Sequence, residues 1–364
     1  MLANGHSAFD TRIFIKEART LVAAGYTVSI ILPHAKPEQR DGVTINPVRV
    51  TKGGFAKLVI NPWNIFWKAL RQPGRSIFCI HDSDILMAGV FLKLFGRTVV
   101  YDAHEDTPLQ ISYQHWLPKF AKKPYAVFYY WLEKLCGKWF DAIIVAEPVI
   151  AKYFPPQKTS LVRNFSLAGP FRTYAKALPY KERRDALIYI GTLSAVRGLF
   201  QMLDAAKEAE KKVSFDFVLG GQFAPVSLEK DVLTRYRIDF RQWVQFELLV
   251  ELMYDAKVGI IIPNPIERYK TNYPVKMFEF MAAGLPVIAS REGESAAFIE
   301  EAKCGLLVDP MDIQAIADAI VWLFTHPDEA EAMGKRGQEL VMQTYNWEHE
   351  SQTLLVVYNR LSGK

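Results

Sequence analysis

The stretch Asn272-Tyr-Pro-Val-Lys-Met-Phe-Glu-Phe-Met-Ala-Ala-Gly-Leu-Pro-Val-Ile-Ala-Ser290 reads as one helix delivered directly into one buried strand. Pro274 suits the first helical position, where its missing N–H costs nothing. Gly284 supplies the left-handed residue that stops the helix, and the apolar run 286–289 has strand length. Lys276 and Glu279 are three residues apart and share one helical face near its N-terminal end. The free N–H groups and positive dipole of that end, beside a lysine, attract phosphate, and a carboxylate one turn further in accepts hydrogen bonds from a ribose diol. The same spacing also describes an ordinary αβ unit carrying a solvated ion pair.

Working outward, short apolar runs alternate with stretches of helical periodicity. In the first half 27–32, 76–80, 98–102 and 142–146 read as buried strands, and Phe14, Ala18, Leu21 and Val22 mark a helix between them. The rhythm resumes at 186–190 and continues through 216–219, 258–263, 285–289 and 305–308. Alternation of this kind implies parallel sheets covered by helices on both faces. At 364 residues the chain exceeds what one core usually serves. The division expected is a first α/β domain over 1–165, a linker over 166–184 rich in proline and basic residues, and a second α/β domain over 185–345. A final helix over 346–364 comes after the second sheet is complete. A doubly wound domain opens with a strand, yet only Met1 to Asn4 precede the first loop and helix. The first strand is therefore expected to be missing or curtailed, with the natural chain beginning upstream.

Composition narrows the class. A net charge of +5 is too diffuse for a nucleic-acid binder. Cys79, Cys136 and Cys304 are scattered and form no metal-binding or disulfide pattern, which predicts reduced thiols and a cytoplasmic protein. The N-terminus carries no signal-peptide pattern, and the longest apolar stretch, 124–132, is too short to span a bilayer.

A second element sits in the same half. The strand at 186–190 runs into Gly191-Thr-Leu-Ser-Ala-Val-Arg-Gly198, where two glycines bracket Arg197. Such a loop lets backbone approach a diphosphate while a guanidinium grips two oxygens, although a plain strand–helix turn has the same outline.

With these elements in view the chain resembles the retaining GT-B glycosyltransferases of family 4, almost end to end. The resemblance is carried by His6-Ser-Ala-Phe-Asp-Thr-Arg12 and the residues to Ala18, His81-Asp-Ser-Asp84, Tyr101-Asp-Ala-His-Glu105, Tyr189-Ile-Gly-Thr-Leu193, Arg197-Gly198, Pro274 to Ser290, Cys304-Gly-Leu-Leu-Val-Asp-Pro310 and Tyr345-Asn-Trp347. It implies two Rossmann-like doubly wound domains facing each other across a cleft, the second holding a nucleotide sugar and the first the acceptor. Glu279 would hold the ribose, Arg197 and Lys276 the diphosphate, and Gly191, Thr192, Asn272 and Tyr273 would line the donor. The last helix would cross back to the first domain. No cofactor and no metal are expected. The sequence departs from the family at Thr271, where many members carry a first glutamate, and at Thr192, where a basic residue is common.

In the first half, His81 and His104 fall just past strand ends, where open parallel sheets place ligands. The resemblance points His104 at the donor sugar and leaving phosphate, which makes His104, Arg197 and Lys276 the catalytic candidates. His6, Asp10, Arg12, His81 and Asp82 are the acceptor-side candidates, with Asp10 also readable as a helix N-cap. Asp82, Glu105 and Asp106 near the histidines make a metal site conceivable, but no histidine pair has ligand spacing. Residues 113–139 mix aromatics, among them Trp116, with five lysines. They read either as a core helix with a basic side or as a peripheral contact with the inner face of a membrane. The activity expected is retaining sugar transfer to a glycan or lipid-linked acceptor in polysaccharide or glycoconjugate synthesis. A sugar-nucleotide 2-epimerase and a non-catalytic nucleotide-sugar-binding subunit are the alternatives.

Overall fold

The computed structural model describes residues 1–51, 54–113, 117–242, 246–271 and 273–364. They form two compact units, Met1–Asn164 with His349–Lys364, and Phe165–Glu348.

The first unit contains β1 (Val28–Pro33), β2 (Glu38–Arg40), β3 (Val43–Val48), β4 (Ile77–Ile80), β5 (Thr98–Ala103), β6 (Ala142–Val145) and β7 (Thr159–Leu161). β1, β3 and β2 make one ladder, and β4 to β7 another. The chain start joins them. Leu2 bridges in parallel to Ile31 on one side and Ile80 on the other. Its N–H donates to Cys79 O at 2.7 Å, and its carbonyl accepts from His81 N at 3.1 Å. The curtailed first strand is therefore present as Met1 to Ala3, and it lies at the centre of the sheet. Leu2 is fully buried there, so few residues suffice. The resulting order is β2-β3-β1, residues 1–3, then β4-β5-β6-β7, parallel except for β2. The winding reverses between residues 1–3 and β4, and their carboxyl ends mark the crevice where such sheets bind ligands.

The helix expected from Phe14, Ala18 and Leu21 begins as a π-helix, Thr11–Ala18, before an α-turn over Arg19–Ala23. Phe14 and Ile15 N–H groups both reach Asp10 O, at 2.9 and 3.2 Å. Apolar spacing cannot distinguish this wider turn from an α-helix, and π-helical turns are frequent at functional sites. The last helix, Trp347–Ser362, packs on this unit through buried Leu354, Val357 and Tyr358. Tyr26 also donates to Asn359 Oδ1 at 2.6 Å.

The second unit is a six-stranded parallel sheet of β8 (Ala186–Leu193), β9 (Asp216–Phe223), β10 (Asp239–Gln242), β11 (Val258–Ile261), β12 (Val287–Ser290) and β13 (Gly305–Val308), in the order β10-β9-β8-β11-β12-β13. Winding reverses between β8 and β11. Aliphatic and aromatic side chains pack on both faces. The helix read from 274 onward spans Val275–Ala282, with Pro274 one residue before it and Gly284 at φ 75° after it. Residues 166–184, expected as a linker, are instead a packed part of this unit. Phe171 and Tyr180 are buried, and Arg183 donates to Ala283 O at 2.8 Å. Adjacent Phe165 lies 4.5 Å from the Phe278 ring. The prolines and charges of the segment masked these anchoring aromatics.

Candidate functional site

In the second unit the loops after β8 and β11 meet at the winding reversal. β8 extends through Gly191 and Thr192 to Leu193, followed by a short 3-10 turn, Ala195–Arg197. Gly198 closes it at φ 79°, and a β-carbon there would lie 2.1 Å from Ile262 O. Only glycine lets the two loops approach so closely. Asn264 fastens them, with its N–H on Val196 O at 3.0 Å and its Nδ2 on Ala195 O at 3.1 Å. The Arg197 guanidinium turns back toward Gly191 and interacts with the Tyr189 hydroxyl, which itself donates to Thr192 O at 3.1 Å.

The helix Val275–Ala282 follows β11 and carries Lys276 and Glu279. They form an ion pair of 2.9 Å, but it is not the solvated pair that spacing alone allowed: Glu279 is 3% exposed and Lys276 is 30% exposed. The lysine contacts Glu279 Oε2, a buried oxygen, so the carboxylate is held inside the fold by this one cation. Tyr273, expected at the donor, packs its ring among Phe165, Phe278 and Phe298. That aromatic cluster gives the ring more contact than an open loop would. Thr271 ends the turn Glu267–Lys270, while Asn272 lies outside the described residues.

In the first unit the switch point gathers an acidic and imidazole cluster. Asp10 Oδ1 caps the π-helix by accepting from Arg12 N at 2.8 Å and Ile13 N at 3.0 Å. Its Oδ2 lies 3.2 Å from His6 Nδ1, and His6 Nε2 lies 3.4 Å from Asp82. Asp82 accepts from Asn4 N at 2.7 Å. Burial lowers the His6 pKa, but the hydrogen bond it donates to Asp10 and the charges of Asp82 and Asp10 outweigh it and raise it to about 9. His6 is therefore an imidazolium at neutral pH. The His104 ring stands 5.1 Å from it, centroid to centroid. His104 Nδ1 lies 3.2 Å from Asp102 O, which fixes a proton on that nitrogen. His6, His81, Asp82 and His104 line one small polar pocket with Glu105 and Gln110.

Two acceptor-side expectations change. Arg12 does not reach outward: it is buried and binds both oxygens of Asp102. His81 is also buried, with Nδ1 3.0 Å from Asp102 Oδ2. Burial pushes its pKa down, so it stays neutral. Both sit beneath the open cluster because the β5 carboxylate, Asp102, would otherwise be an unpaired buried charge. Sequence reasoning missed Asp102, which alternation hides at a strand end, and Glu17, whose pKa burial and the Asp102 charge push well up.

His81, Asp102 and His104 bring three metal-capable atoms within 4.8 Å of one another, as do Glu17, Cys79 and His81. Arg12 already occupies both Asp102 oxygens, so a divalent cation there would sit beside a guanidinium. All three cysteines are free and buried.

Comparison with known proteins matches residues 184–326 to the family described as glycosyl transferases group 1, and residues 16–164 to the glycosyl transferase 4-like domain. D-inositol 3-phosphate glycosyltransferase of Corynebacterium urealyticum is 33% identical over 109 residues, 30% of this chain and 24% of that protein. The chain thus spans about a quarter of that relative's length in the match. Alpha-maltose-1-phosphate synthase of Mycolicibacterium smegmatis is 24% identical over 299 residues, 74% of this chain and 75% of the other. Among solved structures, sucrose-phosphate synthase from Thermosynechococcus elongatus superposes with a TM-score of 0.73 at 21% identity, covering 95% of this chain and 92% of that one. The fold is GT-B.

Proposed function

We propose that this chain, which belongs to the group 1 glycosyl transferases, moves a sugar from a nucleotide-sugar donor to a glycan or lipid-linked acceptor. The observation that carries the reading is Glu279: a buried carboxylate paired with Lys276, one turn into a helix that starts at the switch point of a doubly wound sheet. Such a carboxylate suits a pair of vicinal hydroxyls, as on a ribose. Arg197, on the neighbouring strand's loop, and Lys276 then meet the diphosphate with fixed positive charge.

Those cations supply the chemistry that departure of a nucleoside diphosphate needs, because negative charge grows on the leaving oxygens in the transition state. We assign His104 Nε2 to the reacting sugar and the His6–Asp10–Asp82 cluster to the acceptor. Retention of configuration and independence from metal are part of the proposal. The second is supported by the guanidinium that already neutralises Asp102.

The test is nucleotide release from UDP-, GDP- and ADP-sugars with and without candidate acceptors. Release that requires an acceptor, with the anomeric configuration kept, is the expected result. An isomerised donor, or tight binding without turnover, would overturn it.

A further inference from the structure

The helices Gly54–Leu70, Leu86–Leu94 and Lys119–Trp139 connect β3 to β4, β4 to β5 and β5 to β6. All three connections step in the same direction across a parallel sheet, so right-handed crossovers place the three helices on one face. Ring contacts tie the first two together, with Trp63 5.8 Å and Phe66 5.7 Å from Phe91. Their inner sides are a normal core: Ile65, Phe66, Leu86, Leu92 and Cys136 are buried.

Their outer sides are not a normal surface. An amphipathic helix on a sheet turns polar residues outward. Here the third helix exposes Phe120 at 83%, Trp131 at 62% and Leu135 at 63%, which recur along one stripe. The second exposes Leu94 at 65%, and Phe95 just beyond it. The first exposes Trp63 and Trp67. Exposed aromatic and aliphatic side chains on three helices of one face mark an interaction site.

Charge identifies the occupant. The three helices hold a single carboxylate, Glu133, and it is buried against Tyr101 and Thr107. Lys119, Lys123 and Lys138 are exposed along the aromatic stripe. At the other edge Arg49, Lys68 and Arg71 line an open groove of about 1130 Å³ beside Trp67. Aromatic side chains among cations, with no outward acid, match the headgroup boundary of an anionic bilayer. A protein partner would need an apolar and acidic face of matching shape, whereas a bilayer accepts aromatics and cations spread over three helices. Among the described residues no helix is long and apolar enough to cross a membrane, so the surface rests on the bilayer rather than in it.

We infer that this three-helix face seats the first unit on an anionic phospholipid bilayer, with the aromatics at the acyl boundary and the lysines and groove arginines on the phosphates. The inference stands apart from the sugar-transfer reading, and its test contains no donor or acceptor. The full chain is sedimented with phosphatidylcholine vesicles and with vesicles of phosphatidylcholine and phosphatidylglycerol, at low salt and at high salt. Binding is expected to the anionic vesicles, at least tenfold weaker to the neutral ones, and weaker at high salt. The triple variant Phe120→Ser/Trp131→Ser/Leu135→Ser and the double variant Trp63→Ser/Trp67→Ser should each lose at least tenfold. Phe120, Trp131 and Leu135 are mostly exposed, so circular dichroism and melting of the triple variant should be unaltered. Trp63 and Trp67 are half-buried against Phe66 and Phe91, so the double variant should keep its circular dichroism while melting somewhat lower. Lys119→Glu/Lys123→Glu/Lys138→Glu should abolish the anionic preference. Absence of vesicle binding, binding indifferent to these substitutions, or a concentration-dependent dimer that the serine variants disperse would each overturn the proposal.

Discussion

Arg12 clasps Asp102 with two hydrogen bonds, Nε to Oδ2 at 2.9 Å and Nη2 to Oδ1 at 2.6 Å, and neither side chain is more than 4% exposed. Burial alone would raise the Asp102 pKa. The Arg12 charge and the histidine hydrogen bonds instead hold it well below the usual carboxylate range. Burial and the Asp102 charge push the Glu17 carboxyl well above the usual range, against the pull of Arg12 Nε 3.1 Å away. Arg12 Nη1 and Nη2 also donate to Val162 O at 3.3 Å, so the pair links the π-helix, β5 and the end of β7.

Arg12→Ala leaves the Asp102 carboxylate buried without its cation, which typically costs about 3–5 kcal/mol. Lysine cannot restore the fork, so Arg12→Lys should recover less than half of that loss. Urea unfolding of both variants checks this. A loss under about 1 kcal/mol for Arg12→Ala would contradict the pairing.

Glu133 gives stability a pH dependence. Burial, opposed in part by hydrogen bonds from Thr107 and Tyr101, raises its pKa to about 7 from 4.5. A carboxyl with a raised folded pKa binds more protons folded than unfolded. Its contribution is therefore full below pH 4.5 and is lost as pH rises through 7, about 3 kcal/mol in all. Glu133→Gln cannot ionise, so its stability should fall less between pH 5 and pH 8. Denaturation curves at the two pH values decide it, and parallel falls in wild type and variant would refute the assignment.

Glu279→Ala should weaken nucleoside diphosphate binding while the fold persists. A hydrogen bond to a charged group contributes about 1.5–3 kcal/mol, or roughly 10- to 150-fold in affinity. Calorimetry with UDP, GDP and ADP measures it. Unaltered affinity for the nucleotide that wild type prefers would remove Glu279 from the donor site.

What was legible in the sequence follows the range of each signal. Buried parallel strands announce themselves as apolar runs, so β1, β4 to β6, β8, β9 and β11 to β13 could be read directly. β2 and β10 could not, because edge strands such as Glu38–Arg40 and Asp239–Gln242 carry polar side chains. The central strand at residues 1–3 gave too short a run to recognise, although its neighbours bury it on both sides. Glu279 and Lys276 were legible because helical spacing fixes a shared face. The burial that separates a binding carboxylate from a surface ion pair came only with the fold. Arg12 and His81 were placed outward because a sequence gives no depth. Their partner Asp102 is 90 residues from Arg12 and 21 from His81.

His104 and Glu279 belong to different units and should fail differently. His104 keeps its Nδ1 proton on the Asp102 carbonyl and stands beside the His6 imidazolium, and without it the buried Asp102 carboxylate still keeps Arg12 and His81. His104→Ala should therefore fold normally and bind nucleoside diphosphate with wild-type affinity. If its Nε2 acts at the reacting sugar, kcat should fall by roughly 10²–10³. Glu279→Ala should mainly raise the donor KM, because a ribose contact is equally strong in ground and transition states. Steady-state kinetics on both variants with one donor separates the roles. A His104→Ala enzyme that keeps kcat but loses donor affinity would move His104 from the chemistry to binding.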